Sequence, residues 1–175
     1  MPSGKTHDAI TILLAVPTHA ATYVVTEDLW LSSVVFCGFI FGGLMFGPDL
    51  DTGSTQYGRW SIFRFFWFPY RTFFKHRSRW SHGFVFGTVL RLVYFMGVVS
   101  CVAFLTAYFY TAYRGGELPG ISDLARVWAQ LRVYSDRLLG ELGLAGLFFG
   151  MWLGAASHTL TDIAGTYVKT GKARL

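Results

Sequence analysis

Five short polar clusters carry most of the reactive chemistry of this sequence: Thr6-His7-Asp8, Pro48-Asp49-Leu50-Asp51, His76-Arg77, Ser81-His82-Gly83 and His158-Thr159-Leu160-Thr161-Asp162. Imidazole and carboxylate without thiolate form a donor set suited to Zn²⁺, Mn²⁺ or Fe²⁺. His158 and Asp162 are four residues apart, so a helix presents them on one face, where two side chains can share an ion. Asp49 and Asp51, two apart after a proline, can project the same way from an extended turn, and the spacing does not choose between them. Taken singly, each cluster has a plain structural reading: a histidine bonded to a nearby carbonyl, a His–Asp bond within a helix, a helix stop followed by an Asx turn. A common location decides for a metal centre, and that location depends on the segments that carry the clusters.

Those segments are apolar. Of the 175 residues 53% are hydrophobic and only 14% charged, and the mean hydropathy of +0.41 lies outside the range of ordinary soluble domains. The composition predicts a single all-α membrane domain over 1–175. Its spans fall at roughly 9–25, 29–47, 92–112 and 142–164, each near the ~20 residues that cross ~30 Å of hydrocarbon. The first two are joined by a short acidic turn at Glu27-Asp28 and form an antiparallel hairpin. The third belongs to a longer apolar run, roughly 83–113, whose first turns extend beyond the bilayer at 1.5 Å per residue. The fourth carries Gly146, Gly150 and Gly154 on one stripe, where small residues let another helix approach closely.

Orientation follows from the basic residues. Arg59, Arg64, Arg71, Lys75, Arg77 and Arg79 crowd the connection between the second and third spans, and Lys5, Lys169, Lys172 and Arg174 mark the ends of the chain. The positive-inside rule then gives N-in/C-in, with balanced charge in the 114–141 connection. His7, Asp49, Asp51, His82, His158 and Asp162 all come to the cytoplasmic edge of one bundle. His19, twelve residues beyond His7, is carried about 18 Å along the helix towards the other leaflet and reads as a packing histidine.

Residues 56–80 interleave aromatics with cations, a pattern that can stack on nucleic acid. Beside membrane spans it reads instead as an interfacial belt contacting anionic headgroups, with lipids rather than nucleic acid as partners. Residues 121–139 alternate charge with Leu, Val and Trp and predict a second interfacial segment. Arg91 either snorkels to the headgroups or faces a phosphate from the wall of the site, and snorkelling is the simpler reading. Cys37 and Cys101 lie in apolar runs without metal-finger spacing and read as packing residues. The apolar run before Thr18-His19-Ala20 imitates a signal peptide, but cleavage there would discard His7, so it reads as a retained helix.

The ordered set THD at 6–8, FGGLMFGPDLD at 41–51, YGRW at 57–60, FPYR at 68–71, KHRSRWSHG at 75–83 and SHTLTD at 157–162 resembles an uncharacterised family of metal-binding membrane proteins. It is more distantly similar to YdjM-type membrane-bound metal-dependent hydrolases. The resemblance runs from His7 to Asp162. It implies metal-ligand roles for His7, one Asp of the 49/51 pair, His76, His82, His158 and Asp162. The YdjM-type pattern reads HRGxTHS, whereas this sequence is longer between His76 and His82 and has Gly83 after the second histidine.

The expected function is a membrane-embedded, metal-dependent hydrolase of an ester or phosphoester, lipid-linked given a site at the headgroup level. The metal, Zn²⁺ ahead of Mn²⁺ or Fe²⁺, acidifies a water and polarises the acceptor oxygen. Asp49, Asp51 or Asp8 would serve as general base. Seven candidate ligands exceed the three protein ligands usual for one catalytic zinc, which leaves room for one ion or two. The alternative is a non-catalytic metal-binding membrane protein with a structural or sensory role. Transport would need charge near mid-span, where this sequence is apolar.

Overall fold

A computed structural model describes residues 3–74, 83 and 86–171, which are helical with no strand. His76 and His82, and with them the segment 75–82, lie outside the described residues. Helix α1 (Gly4–Thr26) starts where the Ser3 side chain accepts the Thr6 N–H, which places His7 in its first turns. Pro17 sits inside α1 without ending it. The helix stops at Glu27, whose left-handed backbone (φ 53°) turns the chain, and Asp28 caps α2 (Leu29–Leu44) by accepting the Leu31 N–H at 2.9 Å. The acidic hairpin expected between the first two apolar segments is therefore present.

Before Gly47-Pro48 the α2 helix runs out, since proline cannot continue the ladder, and residues 48–51 close a 3₁₀ turn. The last carbonyls of α2 are exposed by this break and find side-chain donors across the corner. Gln56 Nε2 donates to the Gly43 carbonyl at 2.7 Å, Arg59 Nη1 to Leu44 at 2.8 Å and Trp60 Nε1 to Met45 at 2.9 Å. All three donors come from α3 (Thr55–Arg59) and the residue that ends it. A 3₁₀ stretch, Ser61–Trp67, then leads into α4 (Phe68–Phe73).

This segment is only partly the interfacial belt its composition suggests. Trp67 and Tyr70 are fully enclosed and join Phe46, Leu50 and Met151 in the core, with Trp67 stacked on Phe95 at 5.6 Å. Ile62, Phe63, Phe65, Phe68 and Phe73 remain exposed. Large aromatic area is better buried against a helix than left at a surface, so the chain turns alternate rings inward.

Helix α5 (Phe86–Arg114) enters this core with its first turns and leaves its second half exposed. Tyr94 ties it to the preceding segment, donating to the Phe66 carbonyl at 2.6 Å and accepting the Tyr70 N–H at 3.2 Å. Helix α6 (Ile121–Leu139) has no buried residue and meets α7 (Gly143–Thr170) at 85°. In contrast, α7 is the most buried helix of the bundle and lies against α2. A Cβ at Gly150 would strike the Val35 carbonyl oxygen, and one at Gly154 the Phe39 carbonyl oxygen; Gly38 and Gly42 of α2 stand equally close to the α7 backbone. The glycine stripe thus seats two helices backbone to backbone.

Among the described residues, three helices are long and apolar enough to cross a membrane: Gly4–Thr26, Leu29–Asp51 including the 3₁₀ turn, and Phe86–Arg114. A fourth is reached if α6 and α7, with their 85° bend, count as one broken span. The small and polar residues on its buried face dilute the apolarity of α7, which explains why the fourth crossing is less clear here than its sequence run suggests. Two further expectations change. Arg91 does not snorkel: it is 2% exposed, and its Nη2 donates to Thr88 Oγ1 at 3.0 Å. Cys37 and Cys101 face outwards rather than into the packing, because the glycines of α2, not its cysteine, occupy the α7 contact.

Candidate metal centre

α1 and α7 bring residues from opposite ends of the chain into one buried cluster. His7, His158 and Asp162 each offer a ligand atom, all within 4.8 Å of one another, and all three side chains are buried. His7 Nε2 lies 3.3 Å from Asp162 Oδ1, and His158 Nδ1 lies 3.6 Å from Asp162 Oδ2. The imidazole rings stack at 3.8 Å between centroids and 8° from parallel. Both α7 residues reach the cluster because four residues make about one helical turn.

The donor spacing fits a metal. Two ligands on a tetrahedral zinc, with bonds of ~2.0–2.1 Å, stand about 3.3–3.4 Å apart, close to the His7–Asp162 separation. His158 also faces a second carboxylate, with Nε2 3.5 Å from Asp49 Oδ2. Asp49 is partly exposed, its side chain 24% accessible, and sits with His7, Asp8, His158, Ser54 and Thr55 around a cleft of about 180 Å³. Two of the three buried donors, His7 and His158, therefore line an open cleft, while Asp162 contacts both without lining it.

The two aspartates left open by the sequence are separated in space. Asp49 turns to His158, while Asp51 is buried within electrostatic reach of Tyr70 and Arg91. A 3₁₀ turn has about three residues per revolution, so positions two apart cannot share a face as they would in an extended turn. Burial pushes the Tyr70 phenol up from its ordinary value; Asp51 adds to the shift and Arg91 opposes it. Asp8 also lines the cleft, but its carboxylate is engaged by Arg59. Arg59 Nη1 donates to its Oδ1 at 3.0 Å and Nη2 pairs with Oδ2. His19 is remote from the cluster, edge-on to Phe36 at 5.6 Å.

The profile of a family described as uncharacterized metal-binding protein (DUF2227) matches residues 2–172. The chain belongs to this metal-binding family. Among individual proteins, an uncharacterized protein of Aquifex aeolicus (strain VF5) is 36% identical over 58 residues, 33% of this chain and 40% of that protein. The chain thus aligns with well under half of that relative. No solved structure matches.

For a member of a metal-binding family, the His7–His158–Asp162 cluster is a group that could hold the ion. Sequence reasoning found these three residues but missed two that shape their surroundings. Arg59 stands in the YGRW motif, yet its partner Asp8 is 51 positions away and no local pattern announces the pair. Arg91 was visible only as a charge in an apolar run, and its burial depends on the way the Trp67–Tyr70 turn folds over α5.

Proposed function

We propose that this is an integral membrane hydrolase of esters or phosphoesters, lipid-linked by preference, whose divalent ion is held by His7, His158 and Asp162 at the cytoplasmic face. One observation carries the reading: His7 and His158 stand at the wall of an open cleft, with the buried carboxylate of Asp162 within 4.8 Å of both and a partly exposed one, Asp49, facing His158. Three protein ligands with an open side are the pattern of catalytic zinc sites, whereas structural sites close all four positions. Zinc fits the donors best, with Mn²⁺ or Fe²⁺ next.

When bound, the ion would supply Lewis acidity, lowering the pKa of a water and polarising the acceptor oxygen. The chain supplies the rest. Asp49 takes up the proton of the attacking water on Oδ2, the oxygen that faces His158, and this role suits it better than Asp8, which Arg59 engages on both oxygens. Asp162 stands between both imidazoles and supplies the carboxylate of the ligand set. His82 and His76 are proposed to complete the site or a second ion's site from the neighbouring segment. An N-in/C-in topology puts the cleft at the headgroup level, where Arg64, Arg71 and the exposed phenylalanines 63, 65 and 68 meet anionic lipid. The distant resemblance of the sequence motifs to YdjM-type hydrolases suits the same reaction class.

The test is elemental analysis of the purified protein followed by assays of the loaded sample on phospholipid and lipid-linked phosphoesters and on simple esters. Metal-dependent cleavage of one class supports the proposal. A stoichiometric metal with no cleavage of any class would favour the structural or sensory alternative.

A further inference from the structure

Asp8 follows His7 directly, on the side of α1 that faces α3. Its carboxylate is gripped by the fork of Arg59, and the Nη1 that bonds Oδ1 at 3.0 Å also donates to the Leu44 carbonyl at 2.8 Å. Leu44 is the last residue of α2, five positions before Asp49 in the turn that begins at Pro48. One planar guanidinium therefore joins the residue after His7 to the helix end that presents Asp49. A bidentate pair fixes direction as well as distance, which a lysine point charge would not do.

The pair has little to offer stability. Its side chains are partly buried, 27% and 28% exposed, and an ion pair still in reach of water contributes modestly to folding. Metal centres, however, lose affinity when ligands drift by fractions of an ångström. Gln56 and Trp60 make comparable bonds to the neighbouring carbonyls of Gly43 and Met45, but those bonds end on α2 and tie nothing to His7. The same corner thus contains its own control in Trp60.

We infer that Arg59, acting through Asp8, is a positioning residue of the metal centre that sets His7 relative to Asp49; the inference rests on the metal-centre reading above. Its test is Co²⁺ loading of the full-length protein, read by the visible ligand-field bands and by competition with a chelator. Arg59→Met and Asp8→Asn are expected to weaken Co²⁺ binding about 10–100-fold, as loss of an outer-sphere partner does, and to shift the bands. The charge-swapped pair Asp8→Arg with Arg59→Asp should restore part of the affinity. Trp60→Phe should lower the melting temperature and leave the bands in place.

Wild-type bands and affinity in Arg59→Met would overturn the inference, as would an equal shift in Trp60→Phe. If Arg59→Met does not fold, Arg59→Lys is the variant to read, since it keeps the charge and loses the fork; unchanged bands there overturn the inference equally. Absence of Co²⁺ bands in the wild type would instead overturn the metal-centre reading itself, and the positioning role with it.

Discussion

The His7 and His158 rings lie face to face, 3.8 Å between centroids, although one residue opens the chain and the other stands near its end. Asp162 reaches both, from 3.3 Å at His7 and 3.6 Å at His158, so a single carboxylate braces two imidazoles from two helices. A folded bundle is thus required before the donors meet, and metal binding should report on tertiary structure.

His7→Ala and His158→Ala are each expected to lower the metal content of the purified protein. The loss of affinity should exceed the 10–100-fold typical of outer-sphere substitutions. His19→Ala, whose ring rests on Phe36, should retain wild-type content. Elemental analysis after dialysis checks this, and a His19→Ala protein stripped as completely as His158→Ala would sink the assignment.

The α2–α7 contact predicts a sharp contrast between glycines. Gly150→Ala places a Cβ against the Val35 carbonyl, backbone that cannot rotate away, and should cost about 1–3 kcal/mol or more through overpacking. Gly97→Ala in α5 meets nothing within 4 Å and should be neutral or stabilise by up to about 1 kcal/mol through helix propensity. Melting curves in detergent decide, and equal melting temperatures for the two variants would mean that α2 and α7 do not touch in the native bundle.

Topology is open to direct measurement. Reporter fusions after Glu27, Arg71, Gly120 and Leu175 are expected to read outside, inside, outside and inside, because the cationic connection between α2 and α5 resists translocation and the Glu27-Asp28 turn does not. An outside signal at Arg71 would remove the metal cluster from the cytoplasmic face.

Much of the cluster could be read from local rules. The spacing of His158 and Asp162 needs only the helical period, and the Gly146–Gly150–Gly154 stripe needs only side-chain size. The boundaries of the 121–139 segment also coincide with those of α6. What local rules miss is what folding over long sequence distances decides. Arg91 looks like a snorkelling cation until Tyr70 and Thr88 close around it. Asp8 looks like a free base until Arg59 arrives from across the bundle. The aromatic belt divides into inward and outward rings only because the α2 break lets the chain turn back beneath it.

Tyr70 gives a pH signature. Burial raises its phenol above the ordinary value, so between the unfolded and folded pKa values the native chain holds a proton that the unfolded chain releases. The sign is fixed: stability is unaffected well below about pH 10 and falls as pH rises through that value. Denaturant titrations from pH 8 to 11 should show this decline, and Tyr70→Phe should flatten it. A slope in Tyr70→Phe as steep as in the wild type would show that the phenol is solvated.

The split between Asp49 and Asp51 yields the most discriminating pair of variants. Asp51 is buried and faces the enclosed Arg91, so Asp51→Asn takes a carboxylate away from a buried guanidinium. Removing one of two opposite charges that lie buried near each other destabilises a fold, and removing both together is far milder. Asp51→Asn should therefore melt well below wild type, and the double variant Asp51→Asn with Arg91→Met should recover much of the loss. Asp49 is partly exposed to the cleft and acts on Arg91 less strongly than Asp51 does. Asp49→Asn should fold with near wild-type stability and keep its metal on His7, His158 and Asp162, while any metal-dependent ester or phosphoester cleavage falls by about 10²–10⁴-fold, the usual contribution of a general base. Melting curves, metal content and turnover measured on the same preparations separate the two residues. Should Asp51→Asn keep full stability and abolish cleavage while Asp49→Asn stays active, the roles argued from the 3₁₀ turn are reversed.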